Sequence, residues 1–65
     1  MPIAKVIEVI SEGKTLDEAI ESAANEAGKT VRNVKSVNVD NIQARVNDGK
    51  VTGYRAICKV TFIID

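Results

Sequence analysis

NVKSVNVDNIQARVNDGKVTGYRAICKVTFII, residues 33–64, decides the fold. Two runs rich in β-branched residues, Asn33 to Val46 and Val51 to Ile64, carry no helical spacing and are joined by Asn47-Asp48-Gly49-Lys50. Asp-Gly between such runs is a strong hairpin signal. In the last run Thr52, Tyr54, Ala56, Cys58, Val60, Phe62 and Ile64 fall on one face, which is the core face; Gly53, Arg55, Lys59 and Thr61 interrupt the other. The middle run is less regular, since Val34 shares a face with Ile42, Ala44 and Val46 while Val37 and Val39 lie on the opposite one. A bend, a bulge or a change of partner near Ser36 and Asp40 reconciles them.

Upstream, Pro2 to Ile10 is largely apolar and β-branched and reads as a first strand, ending at the polar connection Ser11-Glu12-Gly13-Lys14. Thr15-Leu16-Asp17-Glu18 is a capping box, and from Leu16 the apolar residues Ala19, Ile20, Ala23, Ala24 and Ala27 follow the spacing of one helical face. Gly28, as a left-handed terminal residue, and Lys29 close this 13-residue helix. Its stripe is mostly alanine, so it packs close to the sheet and adds little bulk.

A strand, a helix and a hairpin make an α+β domain of β-α-β-β type. A right-handed crossover with the last strand inserted between the other two gives a three-stranded antiparallel sheet of order 2-3-1, partly wrapped around the helix. A 14-residue strand spans about 46 Å at ~3.3 Å per residue, and the helix about 20 Å at ~1.5 Å per residue. One thin helix cannot cover such a sheet. The uncovered face of the hairpin, carrying Val37, Val39 and Ile63, must curl over the helix, meet another chain, or both.

Composition points the same way. Sixty-five residues make a single domain, residues 1–65, of a size that buries only about 60% of the surface its unfolded chain exposes. With one Cys and no His, disulfide and metal staples are nearly closed, which leaves self-association. Nine basic against nine acidic residues give no field for nucleic acid or anionic membranes. No apolar run approaches the roughly 18 residues of a membrane span, and no secretion signal stands at the N-terminus, so the expected location is the cytoplasm. Nothing forms an acid–base pair and Cys58 has no imidazole to activate it, so no catalytic residue and no enzyme activity are expected.

The order of elements resembles the dodecins, small flavin-binding proteins built from a strand, a helix and a long hairpin. The resemblance covers nearly the whole chain. It rests on Lys5-Val6-Ile7-Glu8, Asp17-Glu18-Ala19-Ile20, Lys29-Thr30-Val31-Arg32-Asn33-Val34, Asp48-Gly49-Lys50-Val51, Tyr54 and Lys59-Val60-Thr61-Phe62. It implies a non-enzymatic binding or storage protein for FMN, riboflavin or another small cofactor. The implied assembly is a hollow homododecamer with helices outside and sheets lining the interior.

Three positions depart from the family pattern. The tryptophan that stacks the flavin ring aligns with Ser36, the glutamine that bonds the ring edge with Arg55, and an acidic residue near the ribityl chain with Asn41. Ser36, Arg55, Asn41 and the adjoining Lys35 are thus the cofactor-binding positions implied by the resemblance, and the departures imply weakened or altered flavin binding. A serine offers no aromatic face, whereas the guanidinium of Arg55 suits carboxylates and phosphates. Alternatively, Arg55 pairs with an acidic residue of a neighbouring chain and the assembly itself is the function.

Lys35, Lys59 and Arg45 are candidates for an anion such as a nucleotide or coenzyme A, against the plainer reading of solvated strand lysines. Asp17, Glu18, Glu21 and Glu26 lack a loop that gathers oxygen ligands, so no metal site is assigned; they are placed to meet Lys29, Arg32 or Lys35 of an adjacent chain. Cys58 reads as a buried, inert thiol. Tyr54 and Phe62, the only rings, both phase inward.

Overall fold

The computed structural model describes residues 2–64. Along the chain stand β1 (Ile3–Gly13), α1 (Leu16–Thr30), β2 (Val34–Asn47) and β3 (Lys50–Ile64). The sheet order is β1-β3-β2 with both pairings antiparallel, so the most apolar strand is central. Asp48 (φ 52°) and Gly49 (φ 73°) form the two-residue turn that Asp-Gly predicts, and Asn47 pairs with Lys50 across it.

The capping box forms, with the Glu18 amide donating to Thr15 Oγ1 at 3.2 Å. The Glu18 carboxylate reaches one residue beyond the cap and accepts from the Lys14 amide at 3.0 Å. At the far end the helix outruns its expected stop. Gly28 stays inside α1, and the chain leaves at Val31, whose extended backbone (φ −130°) donates to Ala27 O. The left-handed residue that redirects the chain is Asn33 (φ 60°) instead of a glycine. Ile63 donates its amide to Asn33 O at 3.1 Å, fastening this exit to β3.

β1 also differs from expectation. Ser11, Glu12 and Gly13 are not a connection but the last three residues of the strand, paired with Ala56, Arg55 and Tyr54. Tertiary contact overrides their loop-like composition. Ser11 is buried and donates its hydroxyl to Ala19 O at 2.6 Å, a bond to an already used helical carbonyl. A Cβ on Gly13 would stand 2.5 Å from the Ala19 backbone nitrogen, so only glycine lets the helix come this close.

Two bulges resolve the phase conflict in β2. Lys35 and Asp40 are each skipped in the pairing with β3, and each extra residue reverses which face the following side chains occupy. Two reversals restore the starting phase. Val34, Val37, Val39, Ile42 and Ala44 therefore stand opposite Phe62, Val60, Cys58, Ala56 and Tyr54, all on the face toward α1. The expectation that Val37 and Val39 lie uncovered is corrected: both pack against the core of Ala19, Ala23, Ala56 and Cys58. Asp40 is tied down by bonds from Asn38 Nδ2 and, at 3.4 Å, from Lys59 Nζ.

The helix buries Ala19, Ala23 and Ala27 against this face. Fifteen residues span about 22 Å at ~1.5 Å per residue, whereas the molecule extends over 52 × 18 × 14 Å. Ile42, Val46 and Val51 toward the hairpin turn, and Ile3 and Ile64 at the other end, remain exposed. No helix among the described residues is long and apolar enough to cross a membrane.

The two glycines of this region predict opposite outcomes. Gly13→Ala forces backbone apart and costs about 1–3 kcal/mol, whereas Gly28→Ala, with open space around its Cβ and helical geometry already, gains up to about 1 kcal/mol. Urea midpoints of the two variants, measured at one protein concentration, check both signs.

Candidate functional site

The face of the sheet turned away from α1 carries the sequence-predicted positions. Strand alternation puts Val6, Glu8, Ile10 and Glu12 of β1 on it, opposite Thr61, Lys59, Ile57 and Arg55 of β3. From β2 it receives Ser36, Asn38, Asn41 and Gln43, opposite the same four residues. Cross-strand rows result: Val6–Thr61–Ser36, Glu8–Lys59–Asn38, Ile10–Ile57–Asn41 and Glu12–Arg55–Gln43.

Ser36 and Arg55 share this face but do not meet. The partner of Ser36, Thr61, is six residues from Arg55, about 20 Å along the strand at ~3.3 Å per residue. Asn41, one row from Arg55, turns its Oδ1 to the Ile42 amide at 3.0 Å. Lys35 sits in the first bulge, exposed. A single ring system therefore cannot touch the Ser36 and Arg55 of one chain at once.

The strongest polar arrangement centres on Glu12, a residue whose sequence neighbours suggest a connection. Arg55 donates from Nε (3.1 Å) and Nη2 (2.8 Å) to Glu12 Oε2, and Arg45 donates from Nη1 to Glu12 Oε1. One carboxylate thus joins two guanidiniums from the other two strands. Arg55 has its acidic partner within its own chain. The hydrogen bond from Arg55, then the charge of Arg45, hold the Glu12 carboxyl below its ordinary value. The alternation Val6, Glu8, Ile10, continued by two residues, is the signal that would have found it.

The other candidate cations separate. Lys59 pairs with Asp40 at 3.4 Å, Arg45 with Glu12, and on the helix Lys29 pairs with Glu26 of its own chain at 3.0 Å. Among the described residues no group of three His, Cys, Asp or Glu side chains is placed to hold a metal ion. Cys58 is fully buried, and burial, reinforced by the nearby Asp40 charge, raises its thiol pKa. A cavity of about 330 Å³ lies where α1 ends, between Val31, Arg32 and Phe62, and contains none of the predicted site residues.

No aromatic ring lies on the face that holds Ser36 and Arg55. Tyr54 and Phe62, the only two, stand on the opposite face, Tyr54 packed against the core and Phe62 buried. The residues present do not fit a flavin held between rings.

The sequence profile of the Dodecin family matches residues 3–65. The chain belongs to the dodecin family. Among solved structures it is similar to the dodecin from Streptomyces davaonensis, with 25% identity, a TM-score of 0.90, and coverage of 98% of this chain and 96% of the other. It is also similar to a dodecin variant from Thermus thermophilus, with 24% identity, a TM-score of 0.91, and coverage of 100% and 98%. No curated protein sequence matches it. The chain is thus a small dodecin-type protein whose fold follows the family.

The Glu12 pairing has a pH signature. A carboxyl with a lowered folded-state pKa contributes stability that is present above its ordinary value of 4.5 and lost as the pH falls through the folded value. The wild-type unfolding midpoint should fall steadily below pH 4.5, and Glu12→Gln should flatten that decline. Identical acid limbs in the two proteins would show that the pairing carries no weight.

Proposed function

We infer that this dodecin is a non-enzymatic, small-ligand binding or storage protein of the cytoplasm. It works as a homododecameric cage, and its flavin binding is weak compared with the family pattern. Family membership supports the class of function, and the exposed apolar residues at both ends of the sheet support assembly with further copies. The observation that supports the altered ligand is the ring-free outer face, on which Ser36, the position the resemblance gives to the stacking ring, carries no ring and Arg55 is engaged by Glu12.

Each aromatic stack contributes about 1 kcal/mol beyond the area it buries. A site flanked by two copies of Ser36 lacks two such contributions, about tenfold or more in affinity at ~1.4 kcal/mol per factor of ten. Coenzyme A or another anionic ligand suits Arg55 better than a flavin ring does.

A second reading, an assembly protein that holds no ligand, is favoured by the intrachain occupation of Arg55 and Arg45. Extracting gently purified protein separates the two: a stoichiometric ultraviolet-absorbing small molecule supports storage.

Titration of riboflavin and FMN, followed by flavin fluorescence, should show little quenching at stoichiometric protein. Ser36→Trp combined with Arg55→Gln should raise flavin affinity about tenfold or more. Strong quenching by the wild type, or no gain in the double variant, contradicts the reading.

A further inference from the structure

The geometry points to Arg45 and Arg55 as a receptor for a phosphomonoester, with Glu12 as the internal anion that holds the receptor ready and the Ile10–Ile57 row as the floor for the apolar part of the ligand. The inference rests on the reading of this chain as a small-ligand binder and names the chemistry of the ligand.

Two guanidiniums and one carboxylate leave a net positive charge on a surface patch built from all three strands. Each arginine keeps donors in reserve. Arg45 uses only Nη1, so its Nε and Nη2 face no partner among the described residues, and Arg55 uses Nε and Nη2 and keeps Nη1. Within the single chain their side chains are 57% and 43% exposed. Glu12 holds both forks side by side, which removes much of the rotamer freedom a ligand would otherwise have to freeze.

The chemistry favours phosphate over carboxylate. A ligand carboxylate offers two oxygens and one charge, no more than Glu12 already supplies. A phosphate dianion brings a third oxygen and a second charge, so it can span both forks while Glu12 remains or swings aside. On the next row Ile10, 61% exposed, stands beside Ile57 and forms an apolar shelf about 7 Å from Arg55 at ~3.3 Å per residue. An ester with a short apolar group can therefore place its phosphate on the arginines and its body on the shelf.

Calorimetric titration of the assembled protein with phenyl phosphate, inorganic phosphate, benzoate and benzyl alcohol tests this without flavin, so its result is independent of how flavin binds. Phenyl phosphate should bind more tightly than inorganic phosphate or benzoate, and benzyl alcohol should give no heat. Arg45→Gln and Arg55→Gln should each weaken phenyl phosphate about tenfold, the scale of one charge-assisted hydrogen bond. Binding unchanged in Arg45→Gln or Arg55→Gln, or the absence of phenyl phosphate binding to the wild type, overturns the proposal. Equal affinity for inorganic phosphate overturns the apolar shelf, and equal affinity for benzoate overturns the phosphate assignment. Far-ultraviolet circular dichroism and native mass of each variant show that the comparison is made on folded, assembled protein.

Discussion

The buried face of the helix consists of three alanines, and their close contact with the sheet is the constraint on which the rest depends. Ala19 and Ala23 are fully covered, Ala27 nearly so. Such short side chains let backbone approach backbone, and β1 is cut to receive them: Gly13 has no Cβ where Ala19 passes, and Ser11 fastens its hydroxyl to Ala19 O. The contact is tight but small. Val60 and Cys58 are the bulkiest side chains wholly removed from water, and a core of that volume supplies little of the apolar burial that must offset ordering the chain. A helix about 22 Å long leaves the apolar ends of a molecule extending over 52 Å without cover.

β2 shows how a long strand stays useful under that constraint. A pair of bulges at Lys35 and Asp40 reverses the pleat twice, so five apolar residues reach the helix side although their sequence spacing is irregular. The segment between the bulges brings Val37 and Val39 into the core. The same device fixes the outer face. The residue that breaks the ladder, Asp40, is held by Asn38 and Lys59, which commits two polar groups to the bulge and leaves Glu12 with Arg45 and Arg55 as the most strongly paired charge cluster of the outer face among the described residues.

Much of this was legible in the sequence, for identifiable reasons. Asp48-Gly49 sets the hairpin, Thr15 and Glu18 set the helix start, and the conflict between Val34 and Val37 called for a bend, a bulge or a change of partner, of which bulges form. What stayed hidden depends on contacts distant in sequence. Ser11-Glu12-Gly13 has the composition of a loop, and it becomes strand because it pairs with Ala56, Arg55 and Tyr54 of β3, more than forty residues on. Gly28 has the look of a helix end, yet the helix continues to Thr30 and Asn33 takes the left-handed turn. The position of Arg55 was found by its likeness to the family pattern, but its partner Glu12 required the strand register.

A helix that cannot cover its own sheet calls for completion by further copies of the chain. Native mass spectrometry at micromolar concentration tests it most directly. The expected spectrum is dominated by a species of twelve chains, twelve times the 7.0 kDa chain mass. A folded, stable species at the mass of one chain would contradict it.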